Sequence, residues 1–241
     1  MSRSGKKLYN KAKKIIPGGN QLLSKRPEMF LPDQWPAYYK KSNGIKIWDL
    51  NNKCYEDFSI MSIGQCSLGY SNPSVNKAVK EAINYGSTST LNSKEEVILA
   101  ESLLKIHKDL DMVRFAKTGG EACTIAVRIA RAATGRSKIV ASGYFGWHDW
   151  YLASNLNNKK SLDNLLLPGL DVAGVPKELR GTTLALKYGD EEGLKKLFSK
   201  HNRKIAGIIL EVQRNRTPNL KFLKLARNLC DKYKSILIFD E

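Results

Sequence analysis

From residue 138 onward one pattern repeats: short, almost unbroken apolar runs separated by segments whose apolar residues recur at helical spacing. The runs are KIVAS (138–142), KIAGIILEV (204–212) and SILIFD (235–240), with TLALKY (183–188) as a weaker fourth. DEEGLKKLFSKH (190–201) and NLKFLKLARNLCDKY (219–233) lie between them, and EACTIAVRIARAAT (121–134) precedes them. A strand with one wet face alternates apolar and polar residues, whereas a strand buried on both faces does not. Continuous runs joined by helices therefore direct this part of the chain to an α/β fold, a mostly parallel sheet covered by helices on both faces. DMVRFA (111–116) is expected to add a strand ahead of the first helix.

The first hundred residues follow different rules. Residues 5–16 read as a helix stopped by Pro17-Gly18-Gly19. Pro27, Pro32 and Pro36 make residues 20–44 irregular. IKIWDL (45–50) and CYEDF (54–58), joined by Asn51-Asn52-Lys53, form a β-hairpin with Ile45, Ile47 and Asp49 on one face. Asn72 as N-cap and Pro73 at the first helical position open a helix to Tyr85. Ser93 with Glu96 three residues on is a capping box opening the next. The expected division is residues 1–58 as an N-terminal helix and hairpin segment of a small domain, and 59–241 as the major α/β domain. The last residues, Ile236 to Glu241, end as a buried strand finishes. A parallel strand normally hands over to a crossover, so the sequence reads as the N-terminal portion of a longer protein whose sheet is incomplete at the C-terminus.

Forty Lys and Arg against 23 Asp and Glu give a net charge of +17. Pairs such as Lys6-Lys7, Lys40-Lys41 and Lys195-Lys196 are scattered along the chain, so no basic stripe interleaved with aromatics marks a specific nucleic-acid surface. No apolar run approaches the ~20 residues of a bilayer span, and the basic N-terminus MSRSGKKLYNKAKKII lacks the apolar region of a secretory signal. Cys54, Cys66, Cys123 and Cys230 have no CxxC spacing, and His107, His148 and His201 are too dispersed for a zinc cage. No metal is expected. Four unpaired thiols suit a reducing cytoplasm.

Four places carry chemistry. Thr118-Gly119-Gly120 stands between run 111–116 and helix 121–134; two glycines allow close approach to a ligand, and the free N–H groups and dipole of a helix start favour a phosphate. The G-x-G-x-x-G of dinucleotide folds is missing. Gly143-Tyr144-Phe145-Gly146-Trp147-His148-Asp149-Trp150 follows the next strand and offers a flat aromatic wall. Glu211, with Gln213 and Asn215, and Asp240 stand at the ends of two further strands, on the carboxyl edge where open α/β sheets bind ligands.

Together, MVRFAKTGGEACTIAVRIARAATGRSKI, GYFGWHDWYLASNL and ILIFDE make the chain resemble the class III pyridoxal-phosphate-dependent aminotransferases of fold-type I, in particular the glutamate-1-semialdehyde 2,1-aminomutase-like members. The resemblance runs from the helix before Pro17 to the last residue. It implies pyridoxal 5'-phosphate as cofactor, an amino or keto/aldehyde small molecule as substrate, and a homodimer with the loop 59–72 and segment 144–151 near its interface. It implies that Thr118, Gly119 and Gly120 hold the cofactor phosphate, Tyr144 stacks on the ring, Asn215 meets the phenolic oxygen, Glu211 shapes the site from behind, and Asp240 pairs with the ring nitrogen. The loop Ser62–Tyr70 would face the substrate. Three positions depart from the family pattern: Gly120 stands where Ser or Thr is common, Phe145 where many relatives have His, and the Schiff-base lysine is expected beyond Glu241, so no catalytic residue is assigned within the chain. The alternative is a non-catalytic short protein that binds cofactor or a partner.

Overall fold

The computed structural model describes residues 3–59, 61–163, 165, 170–213 and 217–241. The chain divides into two compact units, Met1–Ser102 and Leu103–Glu241. In the first, α1 (Arg3–Ile15) buries Tyr9 and Ala12, and the Tyr9 hydroxyl donates to Glu28 at 2.8 Å. The hairpin is present as β2 (Lys46–Asp49) and β3 (Cys54–Glu56), but it belongs to a three-stranded antiparallel sheet completed by β1 (Tyr39–Asn43). Residues 39–43 fall in the stretch expected to be irregular; they lie beyond the last of its prolines, so every residue of β1 keeps an N–H for the ladder. Asp49 is buried and organises the turn, accepting from the N–H groups of Asn51 (2.8 Å) and Lys53 (2.9 Å) and from the Tyr55 hydroxyl (3.3 Å). Ile45 does not share that burial and is 45% exposed.

Helix α2 (Pro73–Tyr85) begins as its sequence indicates, with Asn72 accepting from the N–H groups of Ser74 and Val75. Helix α3 (Lys94–Ile106) begins differently from the expectation. The Ser93 hydroxyl accepts from the N–H of Glu95 and pairs with the Glu95 carboxylate, so Glu95 rather than Glu96 is its partner. A serine hydroxyl reaches the N–H two residues ahead as readily as the one three ahead.

In the second unit, residues 111–116 form no strand, with Met112 88% exposed. An apolar run becomes a strand only where a neighbouring strand offers a ladder, and among the described strands none pairs with it. The sheet has the order β5–β4–β6–β7, all parallel, with β4 (Lys138–Ser142), β5 (Thr183–Ala185), β6 (Ile205–Glu211) and β7 (Ile236–Asp240). Alternate side chains of β4 serve opposite faces. Ile139 and Ala141 pack with Cys123, Val127 and Ala130 of α4 (Gly119–Thr134). Val140 packs with Leu194 and Phe198 of α6 (Glu191–His201) and with Phe222 and Ala226 of α7 (Leu220–Tyr233). The expectation of a parallel sheet covered on both faces is met. Each large side chain so buried contributes about 1.5–3 kcal/mol of hydrophobic stabilisation.

Polar contacts pin the amino edge of this sheet. Arg136, just past α4, donates to the carbonyls of Ile205 (3.1 Å), Tyr233 (2.8 Å) and Lys234 (3.2 Å), tying the end of α4 to the start of β6 and the end of α7. The opposite edge, where β4, β6 and β7 finish, carries the residues of chemical interest. No helix among the described residues is long and apolar enough to cross a membrane.

Candidate functional site

Helix α4 is capped so that two donors are left over. The first N–H groups of a helix have no intrahelical partner. Here Thr118 is the N-cap, its hydroxyl accepts from the N–H of Glu121 at 3.2 Å, and the Glu121 carboxylate reaches back to the N–H groups of Thr118 and Lys117, both at 3.0 Å. The capping box thus serves residues 117, 118 and 121. The N–H groups of Gly119 and Gly120 have no partner among the described residues. A Cβ on Gly119 would meet nothing within 4 Å, so the space beside this turn is open. Two donors at the positive end of a sixteen-residue helix suit an anion.

The segment after β4 lies against this turn. A Cβ on Gly146 would come within 3.1 Å of the Gly120 Cα, so the two loops touch backbone to backbone. Gly146 has φ +92°, a conformation open to glycine. A relay of hydrogen bonds joins the same elements: Trp150 donates through its indole N–H to the Thr124 hydroxyl (3.0 Å), which donates to the Gly120 carbonyl (2.7 Å). Trp150 opens the short helix α5 (Asp149–Leu152) as its second residue.

The aromatic segment does two jobs rather than one. Phe145, Trp150 and Tyr151 are buried in the core that α4 shares with the sheet. Tyr144 is half-buried and meets Tyr151 edge to face at 6.0 Å and 88°. The Tyr151 hydroxyl donates to the Gly143 carbonyl at 2.7 Å, which fixes the ring on which Tyr144 leans. The wall inferred from the sequence is thus narrowed to Tyr144, with Trp147 71% exposed and stacked on His148.

Glu211 and Asp240 are partners in the β6–β7 register, so their side chains leave neighbouring strand ends. The Glu211 carboxylate accepts from the N–H of Tyr144 at 3.2 Å. Its chain crosses directly over Gly143, where a Cβ would lie 2.7 Å from the Glu211 Cγ. Glu211 therefore holds the backbone from which Tyr144 projects. Cys123, one turn into α4, connects the phosphate-type turn to the acidic strand ends. Burial, then the negative charge of Asp240 and of Glu211, push its thiol up to about 12, so both carboxylates act on the first turns of the helix.

Thr118, Gly119, Gly120, Tyr144, Glu211 and Asp240 thus all lie at the carboxyl edge of one sheet or on the helix packed against it. Asn215 lies outside the described residues. Two residues were not singled out from the sequence. Cys123 reads there as an ordinary apolar position on a helix face. His148 reads there as a member of the aromatic run and as one of three dispersed histidines, and no spacing rule signals that its ring returns to Gly120. Within the first unit, a concavity of about 1150 Å³ is lined by residues including Phe30, Trp35, Tyr55 and Asp57.

Known proteins similar to this chain are numerous. A glutamate-1-semialdehyde 2,1-aminomutase of Desulfovibrio desulfuricans is 35% identical over all of this chain and 56% of its own length. Among solved structures, the FumI protein of Sphingopyxis sp. MTA144 superimposes with a TM-score of 0.83 at 26% identity, over 98% of this chain and 54% of that one. A transaminase solved with PLP bound superimposes with a TM-score of 0.86 at 25% identity, over 100% of this chain and 55% of that one. The chain spans about half the length of the curated relatives it matches. The sequence pattern of the family described as Aminotransferase class-III covers residues 32–241, and by that match the chain belongs to the class III aminotransferases.

Proposed function

We propose that this chain forms the cofactor-binding part of an enzyme that transfers an amino group with pyridoxal 5'-phosphate, acting on a small amine and a keto or aldehyde acceptor. One observation carries the reading: the two N–H groups spared by the α4 capping box belong to a turn packed against the loop after β4, and Glu211, which pairs with Asp240 in the β6–β7 register, crosses the start of that same loop. The cofactor has the matching polarity, a phosphate at one end and a basic ring nitrogen at the other, with a flat ring between. The residues present fit it, since Gly119 leaves open space beside the donors and a glycine at 143 lets Glu211 cross to the Tyr144 backbone.

In this reading each residue has a stated task. The N–H groups of Gly119 and Gly120, with the α4 dipole, bind the phosphate. Thr118 and Glu121 hold those donors outward by satisfying their neighbours. Tyr144, braced on Tyr151, covers one face of the ring and keeps water from it. The Asp240 carboxylate holds a proton on the ring nitrogen, because an anion beside a base favours its charged form. The bound cofactor supplies an electron-accepting ring. Asn215 is assigned the phenolic oxygen by its place in the sequence alone, and the lysine for covalent attachment is assigned to residues outside these 241. The two-domain division at 58/59, a homodimer, and a cytoplasmic home suited to four unbridged thiols belong to the same proposal.

The test is direct. Full-length protein titrated with pyridoxal 5'-phosphate should gain a protein-dependent visible absorbance band at a stoichiometry of one per chain. A protein that stays colourless at saturating cofactor refutes the reading.

A further inference from the structure

The parallel sheet gathers what the sequence scatters. Its strands lie in the order β5–β4–β6–β7, and each is entered past a basic residue. Lys138 is the first residue of β4, Lys204 immediately precedes β6, Lys234 stands two residues before β7, and Arg180 three before β5. The pairings Lys138↔Ile205 and Gly207↔Ile236, with the N–H of Ile139 donating to the Thr182 carbonyl at 2.8 Å, set these starts side by side. Neighbouring strands lie about 4.8 Å apart, so the four starts span roughly 14 Å. The segments leading into the strands, 135–137, 177–182, 202–204 and 232–235, hold seven Lys and Arg and one acidic residue, Glu178. Arg136 is spent on main-chain carbonyls. The other six, Lys177, Arg180, Arg203, Lys204, Lys232 and Lys234, are exposed, and among the described residues none of them forms a salt bridge. Cations elsewhere on α6 and α7 are paired, Lys195 with Glu192, Lys221 with Glu191 and Arg227 with Asp231. The crowding of charge at this edge acts on a neighbour: burial, then the charges of Lys138, Lys200 and Lys204, hold the His201 imidazole below its ordinary range.

We propose that this amino edge of the sheet, opposite the edge assigned to the cofactor, docks the phosphodiester backbone of a nucleic acid through charge alone, without reading base sequence. Six like charges set against one acidic side chain repel one another and attract a polyanion. A nucleic-acid strand carries one phosphate about every 3.4 Å of its axis, so several fall within the span of the four strand starts. None of the large hydrophobic residues exposed among the described residues falls in the four segments, and Leu179 and Tyr233 there are half-buried. A protein partner is held by apolar and aromatic anchors seated in pockets. A nucleic-acid backbone needs only cations, because the counterions it releases drive the association. The same lack of exposed aromatic rings leaves the bases nothing to stack on, so binding follows the backbone.

Fluorescence anisotropy of a labelled single-stranded oligonucleotide of about 20 nucleotides, titrated with full-length protein over a range of salt, reads the docking. Wild-type protein should bind two unrelated sequences equally, with a Kd of about 10⁻⁴–10⁻⁶ M at physiological salt. The triple variant Arg180→Gln, Lys204→Gln, Lys234→Gln should bind about tenfold more weakly. Its plot of log K against log salt should flatten by about 2, three phosphate contacts at about 0.7 each. Lys204→Gln alone, the milder change, should flatten it by about 0.7. The control triple Lys6→Gln, Lys195→Gln, Lys221→Gln removes the same charge from cations paired elsewhere, and should alter the slope by less than about 0.5. The proposal is overturned if the two triple variants weaken binding alike, since net charge then suffices, or if neither weakens it. It is also overturned if poly-glutamate of equal length displaces the oligonucleotide at equal concentration, since the occupant is then an acidic peptide.

Discussion

Replacing Gly143 by alanine tests the packing that joins the sheet edge to Tyr144. Gly143 has φ +150°, and an added Cβ would lie 2.7 Å from Cγ and 2.9 Å from Cδ of Glu211, and 2.9 Å from Cζ of buried Phe145. Two costs add. Holding a non-glycine residue in that backbone region costs about 1–3 kcal/mol. Forcing one extra carbon into a packed site costs about 1–3 kcal/mol more, because Phe145 has nowhere to go. The stiffer unfolded chain returns about 0.4–1 kcal/mol, leaving a net loss of about 1–5.6 kcal/mol, centred near 3. Gly135→Ala supplies the control: Gly135 also has positive φ, at +65°, but a Cβ there meets nothing within 4 Å, so only the backbone cost of about 1 kcal/mol applies. Urea denaturation of both variants, compared by midpoint at constant slope, should place Gly143→Ala about 2 kcal/mol below Gly135→Ala. Displacing Glu211 also breaks its bond to the Tyr144 N–H, so cofactor affinity should fall in the first variant alone. Equal midpoints within about 0.5 kcal/mol and equal cofactor affinities would refute the argument that Glu211 is wedged over Gly143.

Three further outcomes are expected. Full-length Asp240→Asn should retain cofactor but lose about 100-fold in kcat, some 2.7 kcal/mol of barrier, while Glu241→Gln, at the next position, changes kcat little; steady-state kinetics of both variants decide it, and similar small effects would misplace the site. Arg136→Met should cost about 2–4 kcal/mol in urea unfolding, since the carbonyls of Ile205, Tyr233 and Lys234 lose a shared charged donor; a loss under about 0.5 kcal/mol counts against the staple. Burial pushes the thiols of Cys123 and Cys230 up to about 12. A raised folded value means their contribution to stability is complete below pH 9 and is lost as pH rises from about 9 toward 12. At pH 8, iodoacetamide should label exposed Cys54 and spare both until the protein unfolds, as peptide mass mapping would read.

The sheet was legible because each of its helices and strands carries its own signal. Thr118 with Glu121, Asp190 and Asn219 open their helices by local hydrogen bonds that need no distant partner, and Gly135 ends α4 in a left-handed conformation. Residues 111–116 form no strand because strand formation is a property of pairs; an apolar run like that of β4 stays unpaired where no ladder is offered. Helices α2 and α3 show the matching gap: their periodicity locates them correctly, yet Val79, Ile83 and Val97 remain more than half exposed, because periodicity says which face is apolar and not what covers it. At the site, residues at strand ends could be read because a parallel sheet gathers its carboxyl ends along one edge. Cys123 and His148 could not, since their importance lies in who they meet: the one sits beside Asp240 and Glu211, the other fills an absence at Gly120.

Tyr144 leaning edge-on against Tyr151, itself tethered to Gly143, has a stereochemical consequence. A flat ligand held only at its two ends can still turn over about its long axis, presenting either face. A third, immovable support to one side removes that freedom. In the proposed reading, donors at the start of α4, carboxylates at the ends of β6 and β7, and the braced Tyr144 ring would together hold a flat occupant in one handed orientation. Reagents can then approach a flat occupant from one side only, so any new tetrahedral centre formed there is expected in a single configuration. In that reading the brace behind the choice of hand is one hydroxyl-to-carbonyl bond of 2.7 Å between residues 151 and 143.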